Sequence, residues 1–575
     1  MERLDYSQEK NLNPKKILLV LLPFWTPLIP PMGIVSLKTF LQKHGYRVKT
    51  VDATVEEEFQ DLYHKYFDAL KKYIPLNKRG NFYNVGHDVL QNHMMAHFNH
   101  VNERKYVELV KLVIYQTYYC HPEDQQVDEL NEIVSHIFTT LEKYFLCLLN
   151  EEKPRVVGLT AYHHNLPASL FVFRLCKVHD PTIMTVMGGG VFSETLPHGS
   201  EDLEIFLEKT KPYLDKIVIG EGQNLFLKLL RGELLESQRV FTIKDINNET
   251  LDISTIVVPD LSDMDIARYP YLAGSGSRSC PHNCSFCSVS VYYGKYKKKS
   301  AAQTVAEMKL LYEKYGQQLF FMLDSLLNPI ITDISNEIIK ENLPIYLDCY
   351  LRISESLGDI ENTILWRRGG IYRTRIGIES GSQQVLDLMN KNVKVEHSKS
   401  ALASLAYSGI KTTAYMLIGH PGETEADFQQ TLDFIEELKD DIYEAECNPF
   451  CYFSKGQWYS GKWAEKRRLL YPEEATDMLI SQSWTLDCYP PREEVYKRMN
   501  RFVQHCSKLG IPNPYSMAEI IKADERWKKL HKNAVSTMEE IISSQNRGIP
   551  FIEKASVNEM YIARNSLLDV ENFSF

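Results

Sequence analysis

Three cysteines, Cys280, Cys284 and Cys287, stand in the run Ser-Arg-Ser-Cys-Pro-His-Asn-Cys-Ser-Phe-Cys. This Cys-x3-Cys-x2-Cys spacing constrains the chain more than any other feature. Thiolates are soft ligands that select iron–sulfur clusters and zinc. Structural zinc sites close with four ligands, usually as two Cys-x-x-Cys pairs, and no second pair is present here. A cubane cluster held by three thiolates, with no nearby fourth, keeps one iron open to another ligand. An open iron implies chemistry rather than plain electron storage.

With Phe286 just ahead of the last cysteine, the motif resembles that of the radical S-adenosylmethionine (SAM) enzymes. The resemblance implies a [4Fe–4S] cluster on Cys280, Cys284 and Cys287, with SAM chelated at the fourth iron. One electron would then split SAM into methionine and a 5′-deoxyadenosyl radical. The likeness continues in Gly377-Ile378-Glu379-Ser380-Gly381-Ser382 and in Leu417-Ile418-Gly419-His420-Pro421-Gly422-Glu423-Thr424. By this resemblance Phe286, Asp324, Arg352, Glu379, Ser380, Ile418, Gly419 and His420 bind SAM. Six apolar runs, opening near Tyr271, Leu319, Ile345, Arg373, Thr412 and Tyr443, alternate with helical segments. They predict a partial (β/α)6 barrel over 271–455, whose functional residues fall at the carboxyl ends of strands.

Upstream, Lys16–Pro23 is a continuous apolar run of strand length, followed by a helix from Gly33 to His44 and a strand at Tyr46–Val51. Further short runs at Arg155–Thr160, Thr182–Met187 and Lys216–Ile219 end in small or polar loops. Strands alternating with helices predict a Rossmann-like doubly wound domain over 16–240, with ligands at the strand ends. Its loops resemble the cobalamin-binding domain that precedes many radical SAM modules, without the Asp-x-His-x-x-Gly motif that supplies a cobalt-ligating histidine. The residues implied for cobalamin are Phe24, Trp25, Gly33, Thr160, Tyr162, His163, Gly188, Gly189, Gly190, Gly220, Glu221 and Gly222. His163 and His164 read equally well as loop histidines.

Residues 55–150 form a helical insertion far longer than an ordinary connection, either a packed cap or a wall of a substrate cavity. Within it, 74–100 reads as a long loop, being rich in Asn, Gly and His. A tail at 1–15, a linker at 241–270 and a C-terminal helical domain at 456–575 complete the α/β organisation. Cys447 and Cys451 flank Asn-Pro-Phe after the last barrel strand. Buried structural thiols are the plain reading, and Cys447 is the catalytic candidate if one of them lines the site.

The net charge of −10 contains no basic block, which argues against a nucleic-acid partner. No apolar run is long enough for a membrane span, and the N-terminus lacks a signal-peptide core. A cytoplasmic protein follows, whose 11 cysteines are thiols or ligands rather than disulfides. The expected activity is cobalamin-dependent radical SAM methylation of an unactivated carbon in a peptide or natural product, served by an electron donor such as flavodoxin or ferredoxin. The alternatives are a non-methylating cyclisation, rearrangement or epimerisation, and a noncatalytic iron–sulfur or cobalamin sensor.

Overall fold

The computed structural model describes residues 16–24, 26–255, 258–479, 484–513, 517–547 and 550–551. Two parallel six-stranded sheets organise the chain. The first contains β1 (Lys16–Leu21), β2 (Arg47–Asp52), β3 (Val156–Thr160), β4 (Met184–Gly188), β5 (Lys216–Val218) and β6 (Val240–Phe241), in the order β2-β1-β3-β4-β5-β6. β1 reads KILLVL and is buried along almost its whole length, as a central parallel strand covered by helices on both faces must be. The order reverses between β1 and β3, which opens the crevice where such sheets bind ligands.

The second sheet uses β7 (Leu272–Gly274), then, after a short antiparallel pair β8 (Ser277–Arg278) and β9 (Lys297–Lys298), the strands β10 (Leu319–Met322), β11 (Tyr346–Leu351), β12 (Ile371–Glu379), β13 (Lys411–Ile418) and β14 (Glu444–Pro449). Its order, β14-β13-β12-β11-β10-β7, is an open six-stranded barrel. The lumen is filled with paired charges rather than hydrocarbon alone. Arg375 donates to both oxygens of Asp348, each at 2.8 Å, and to the Tyr415 hydroxyl at 3.1 Å. Below them Arg373 bonds Glu444 and Thr413.

The strand β6 begins where the sequence reads as linker, and the stretch after it is clamped. Lys38, 1% exposed, pairs with Asp260 at 3.1 Å and Asp263 at 2.8 Å. Asp263 also accepts from the Thr50 backbone and hydroxyl.

The clearest departure from expectation lies at 74–100. This segment is mostly helix, with a short turn at Leu76–Arg79 and an 18-residue helix at Phe82–Asn99. Composition hides it because the buried face mixes Val85, Val89, Leu90 and Met94 with polar side chains. His93 is fully buried, bonding Tyr66 at 3.0 Å, Tyr106 at 2.9 Å and Asn131 at 2.8 Å. Gly86 permits close helix packing, since a Cβ there would lie 2.6 Å from both Phe67 and the Tyr118 hydroxyl.

The tail adds an antiparallel pair, β15 (Arg467–Leu469) and β16 (Trp484–Leu486), and helices at Arg492–Lys508, Met517–Leu530 and Met538–Asn546. The 492–508 helix lies against β14, the edge strand. It is fixed there by Arg498, fully buried and 2.8 Å from the equally buried Glu423. No helix among the described residues is long and apolar enough to cross a membrane.

Candidate functional site

The β8–β9 pair closes the cysteine loop at its base, through Ser277 opposite Lys298 and Arg278 opposite Lys297. Its far end is pinned over the carboxyl ends of the barrel strands. Ser285 donates its backbone N–H to Met389 O at 2.9 Å and bonds His420 through its hydroxyl at 3.0 Å. Gln457 donates to the Phe286 carbonyl at 3.0 Å. Cys280, Cys284 and Cys287 therefore meet at the barrel mouth. Burial raises the Cys280 and Cys287 thiols, the latter to about 11, and the neighbouring cysteine charges push the same way. Arg352, at the end of β11, directs Nη1 to Cys284 Sγ at 3.3 Å. Among the described residues no group of three His, Cys, Asp or Glu side chains is spaced for a single metal ion. A cluster, whose sulfur ligands stand farther apart, is what three converging cysteines beside a guanidinium suit.

The residues expected to bind SAM divide into two groups. Glu379 ends β12 with a φ of 70° and takes a 2.5 Å hydrogen bond from Lys391. Lys391 also lies 6.0 Å from the Phe286 ring centroid. Phe286, Arg352, Glu379 and His420 thus adjoin the cysteine loop, together with Lys391, which spacing alone did not single out. His420 is held neutral, its pKa lowered to about 4 by burial.

The others brace the frame. Asp324 is buried and accepts the Gly276 N–H on both oxygens at 3.1 Å, fixing the turn before the cysteines. Burial raises its pKa to about 6 against the hydrogen bonds from Ser277 and Gly276. The Ser380 hydroxyl is engaged with Thr431 at 3.1 Å and with the Ser382 N–H at 3.1 Å. Ile418 is buried, and its carbonyl accepts from Phe450. Gly419 meets the tail helix, where a Cβ would come 2.3 Å from Val495.

Between the carboxyl ends of the first sheet and the flank of the barrel runs a cleft of about 890 Å³. Gly33, Thr160, Tyr162, Gly188, Gly189, Gly190, Gly220, Glu221 and Gly222 line it, all expected from sequence. The opposite wall comes from Ser277–Ser279, Tyr292, Tyr293 and the helix Ala301–Tyr315. Gly189 has a φ of 112°, and a Cβ would sit 2.4 Å from Ala161 O, so only glycine makes this turn. Gly33 differs, because a Cβ there meets nothing within 4 Å. Glu221 reaches across the cleft to pair with Arg278.

Three expected residues stand apart from the cleft. Phe24 is packed in the core, and Trp25 lies outside the described residues. His163 turns to the insertion, bonding Asp88 at 3.1 Å. Its neighbour His164 stacks on His87 at 4.5 Å.

Cys447 is corrected by strand alternation. Glu444 on β14 reaches Arg373 in the lumen, and Cys447, three residues on, is directed outward. It is fully buried near Cys506. Cys451, past the strand end, is the accessible thiol.

A sequence model of the radical SAM superfamily matches residues 275–435. The chain is 26% identical over 320 residues to the anaerobic magnesium-protoporphyrin IX monomethyl ester cyclase of Rubrivivax gelatinosus, covering 50% of this chain and 55% of the cyclase. It is 25% identical over 383 residues to an uncharacterized methyltransferase of Pyrococcus horikoshii, covering 63% and 78% respectively. Among solved structures it resembles the radical SAM methyltransferase TsrM of Kitasatospora setae, determined with cobalamin and a [4Fe–4S] cluster. The TM-score is 0.55 at 14% identity, over 93% of this chain and 99% of TsrM. The cobalamin-dependent radical SAM enzyme OxsB gives 0.55 at 15% identity, over 97% and 80%. A radical SAM domain takes a [4Fe–4S] cluster and SAM, and the converging cysteines with Arg352, Glu379 and Lys391 fit both. The chain is a radical SAM enzyme, with its superfamily domain at residues 275–435 and the overall fold of TsrM and OxsB.

Proposed function

We propose that this enzyme binds cobalamin in the glycine-lined cleft and methylates an unactivated carbon of a small-molecule or peptide substrate. The cleft is the observation that carries the reading. It is large, lies at the switch point of a doubly wound sheet, and has glycines where side chains would otherwise fill a cradle. It also ends at the loop bearing the cluster cysteines, through Ser277–Ser279. The relatives named as methyltransferases support the same reading. With the groups bound, the cluster and SAM supply a 5′-deoxyadenosyl radical and cobalamin supplies a methyl group.

The chain's own part is positioning and exclusion of water. Cys280, Cys284 and Cys287 hold the cluster, and Arg352 offsets the negative charge of its thiolates. Glu379 accepts hydrogen bonds from SAM, with its carboxylate oriented by Lys391. Phe286 and His420 line the same mouth, and the strand-end backbone at Ile418 and Gly419 offers edges for the adenine. In the cleft, Gly33, Thr160, Tyr162, Gly188–Gly190 and Gly220–Gly222 form the cradle. An electron donor such as flavodoxin or ferredoxin completes the cycle. A cytoplasmic setting keeps the thiols reduced.

A second reading drops methyl transfer and is favoured by the relatives named as ring-forming cyclases. The test uses anaerobic protein from cells grown with and without cobalamin, given SAM and dithionite. Formation of 5′-deoxyadenosine that is lost in Cys284→Ala establishes the radical step. A visible corrin spectrum and a substrate mass gain of one methyl establish methylation. Deoxyadenosine without bound cobalamin or added methyl would replace methylation with the second reading, and no deoxyadenosine would refute both.

A further inference from the structure

The helix Phe82–Asn99 turns one polar face to the rest of the molecule. Asn81, Asn84, Asp88 and Asn99 share that face at helical spacing. Asn81 donates to the Cys447 carbonyl at 2.7 Å, and Asn84 bonds Asn448, both on β14. Asp88 bonds His163 after β3, and Asn99 donates to the Met478 carbonyl of the tail at 3.3 Å. The helix therefore bridges the gap between the barrel and the first sheet. Beneath it is a chamber.

Asp88 and Cys451 mark the chamber. Both lie deep in the protein, yet the Asp88 side chain is 49% accessible and the Cys451 thiol is open. Side chains can be deep and accessible together only where they border an internal space. Cys451 is within electrostatic reach of Asp88, Arg492 and Glu194, as Tyr471 is of Asp88 and Arg492. The Tyr471 hydroxyl, in a residue 3% exposed, has no hydrogen-bond partner among the described residues. Arg492 is fastened to the Gln116 carbonyl and to the Tyr119 and Tyr496 hydroxyls.

The chamber lies between the two cofactor positions. On one side, His163 follows Tyr162, which lines the large cleft. On the other, Gln457 donates to both Cys451 O at 2.8 Å and Phe286 O at 3.0 Å, joining the chamber floor to the cysteine loop. Glu194 reaches the same loop by accepting from the Ser288 hydroxyl at 2.5 Å.

Asp88 has one oxygen on His163 at 3.1 Å, and its Oδ2 has no hydrogen-bond partner among the described residues. Burial works to raise its pKa, but the His163 hydrogen bond and the fields of His163, His164 and Arg492 bring it below the ordinary value. The carboxylate therefore stays charged, with one oxygen open to the chamber, flanked by tyrosines and by a second acid, Glu194. Such a group binds a cation, and a protonated amine on an apolar or aromatic body matches the whole lining.

We propose that Asp88 anchors the ammonium group of an amine-bearing small-molecule substrate in the chamber it shares with Cys451, Tyr471 and Arg492. This deepens the function proposed above and rests on it for the place of the reacting carbon, between the cleft and the cluster.

Tyramine and N-acetyltyramine are suitable probes, since acetylation removes the charge and keeps the ring. Binding is measured by calorimetry on anaerobic holoenzyme. The wild type is expected to bind tyramine at least about tenfold more tightly than N-acetyltyramine. Asp88→Asn should erase that preference and Asp88→Glu should keep part of it, while Arg104→Gln, exposed on the insertion, leaves it intact. Circular dichroism checks that each variant is folded. Equal affinities in the wild type, failure of both probes to bind, or a preference that survives Asp88→Asn overturns the anchor. Deoxyadenosine formation by the wild type is scored separately. A preference without deoxyadenosine keeps the anchor and refutes the radical reading, whereas deoxyadenosine without a preference refutes the anchor alone.

Discussion

Gly33→Leu separates a ligand cradle from a folding requirement. Gly33 is the second residue of the helix Met32–Lys43 and lines the cleft, and a Cβ built on it meets nothing within 4 Å. Its backbone does not need glycine, so a larger residue should be neutral or stabilising to the free protein, by up to about 1 kcal/mol from helix propensity. In the cleft the added side chain takes space that the cofactor would occupy. Overpacking of this kind costs about 1–3 kcal/mol, which corresponds to a Kd roughly 5- to 150-fold weaker. Gly189→Ala is the contrasting variant. Its φ of 112° and a Cβ 2.4 Å from Ala161 O put the penalty on folding itself, at about 1–2 kcal/mol or more. The assay pairs a visible-absorbance titration of hydroxocobalamin with the midpoint of urea unfolding. Gly33→Leu should lose binding and keep its midpoint, and Gly189→Ala should lose both. A Gly33→Leu protein that binds as the wild type does, or that unfolds earlier, refutes the assignment of the cleft.

Two further outcomes test the frame around the site. Asp348→Ala leaves Arg375 without its bidentate partner in the lumen and should cost about 3–5 kcal/mol, whereas Asp348→Leu with Arg375→Met should cost clearly less. Urea unfolding of the two variants decides this, and equal losses would show that the charge pair is not what matters. Asp324 gives a pH signature. Its folded pKa of about 6 exceeds its ordinary 3.8 because of burial, so its contribution to stability is full below 3.8 and is lost as pH rises through 6. Asp324→Asn should flatten the stability profile across that window, and an unchanged slope would discount the buried carboxyl.

The sequence made some parts legible for physical reasons. β1 and the barrel strands are buried on both faces, so each appears as an unbroken apolar run. Cysteine spacing is local, and so was readable without a fold. Glycine loops at strand ends also announced the cleft, since their conformations and close approaches are written in residue type. Where buried surface is polar, reading failed. The Phe82–Asn99 helix is stabilised through His93 and its hydroxyl and amide partners, which look like loop composition. Arg492, Tyr471 and Asp88 come together from the tail and the insertion, and no spacing rule joins residues that far apart. Cys447 and Cys451 differ in placement because one lies within a strand and the other past its end.

The Lys38 clamp bears on how anything enters. A buried ammonium held by Asp260 and Asp263 ties the segment between the two sheets to the helix behind β1, and rupturing such a pair is expensive. The junction is therefore a weld, and the sheets do not swing apart about it. Traffic to the interior must pass instead by displacing the lighter outer pieces, the bridging helix or the C-terminal strap, so the rate of turnover will answer to loosening at Asn99–Met478 rather than at the seam.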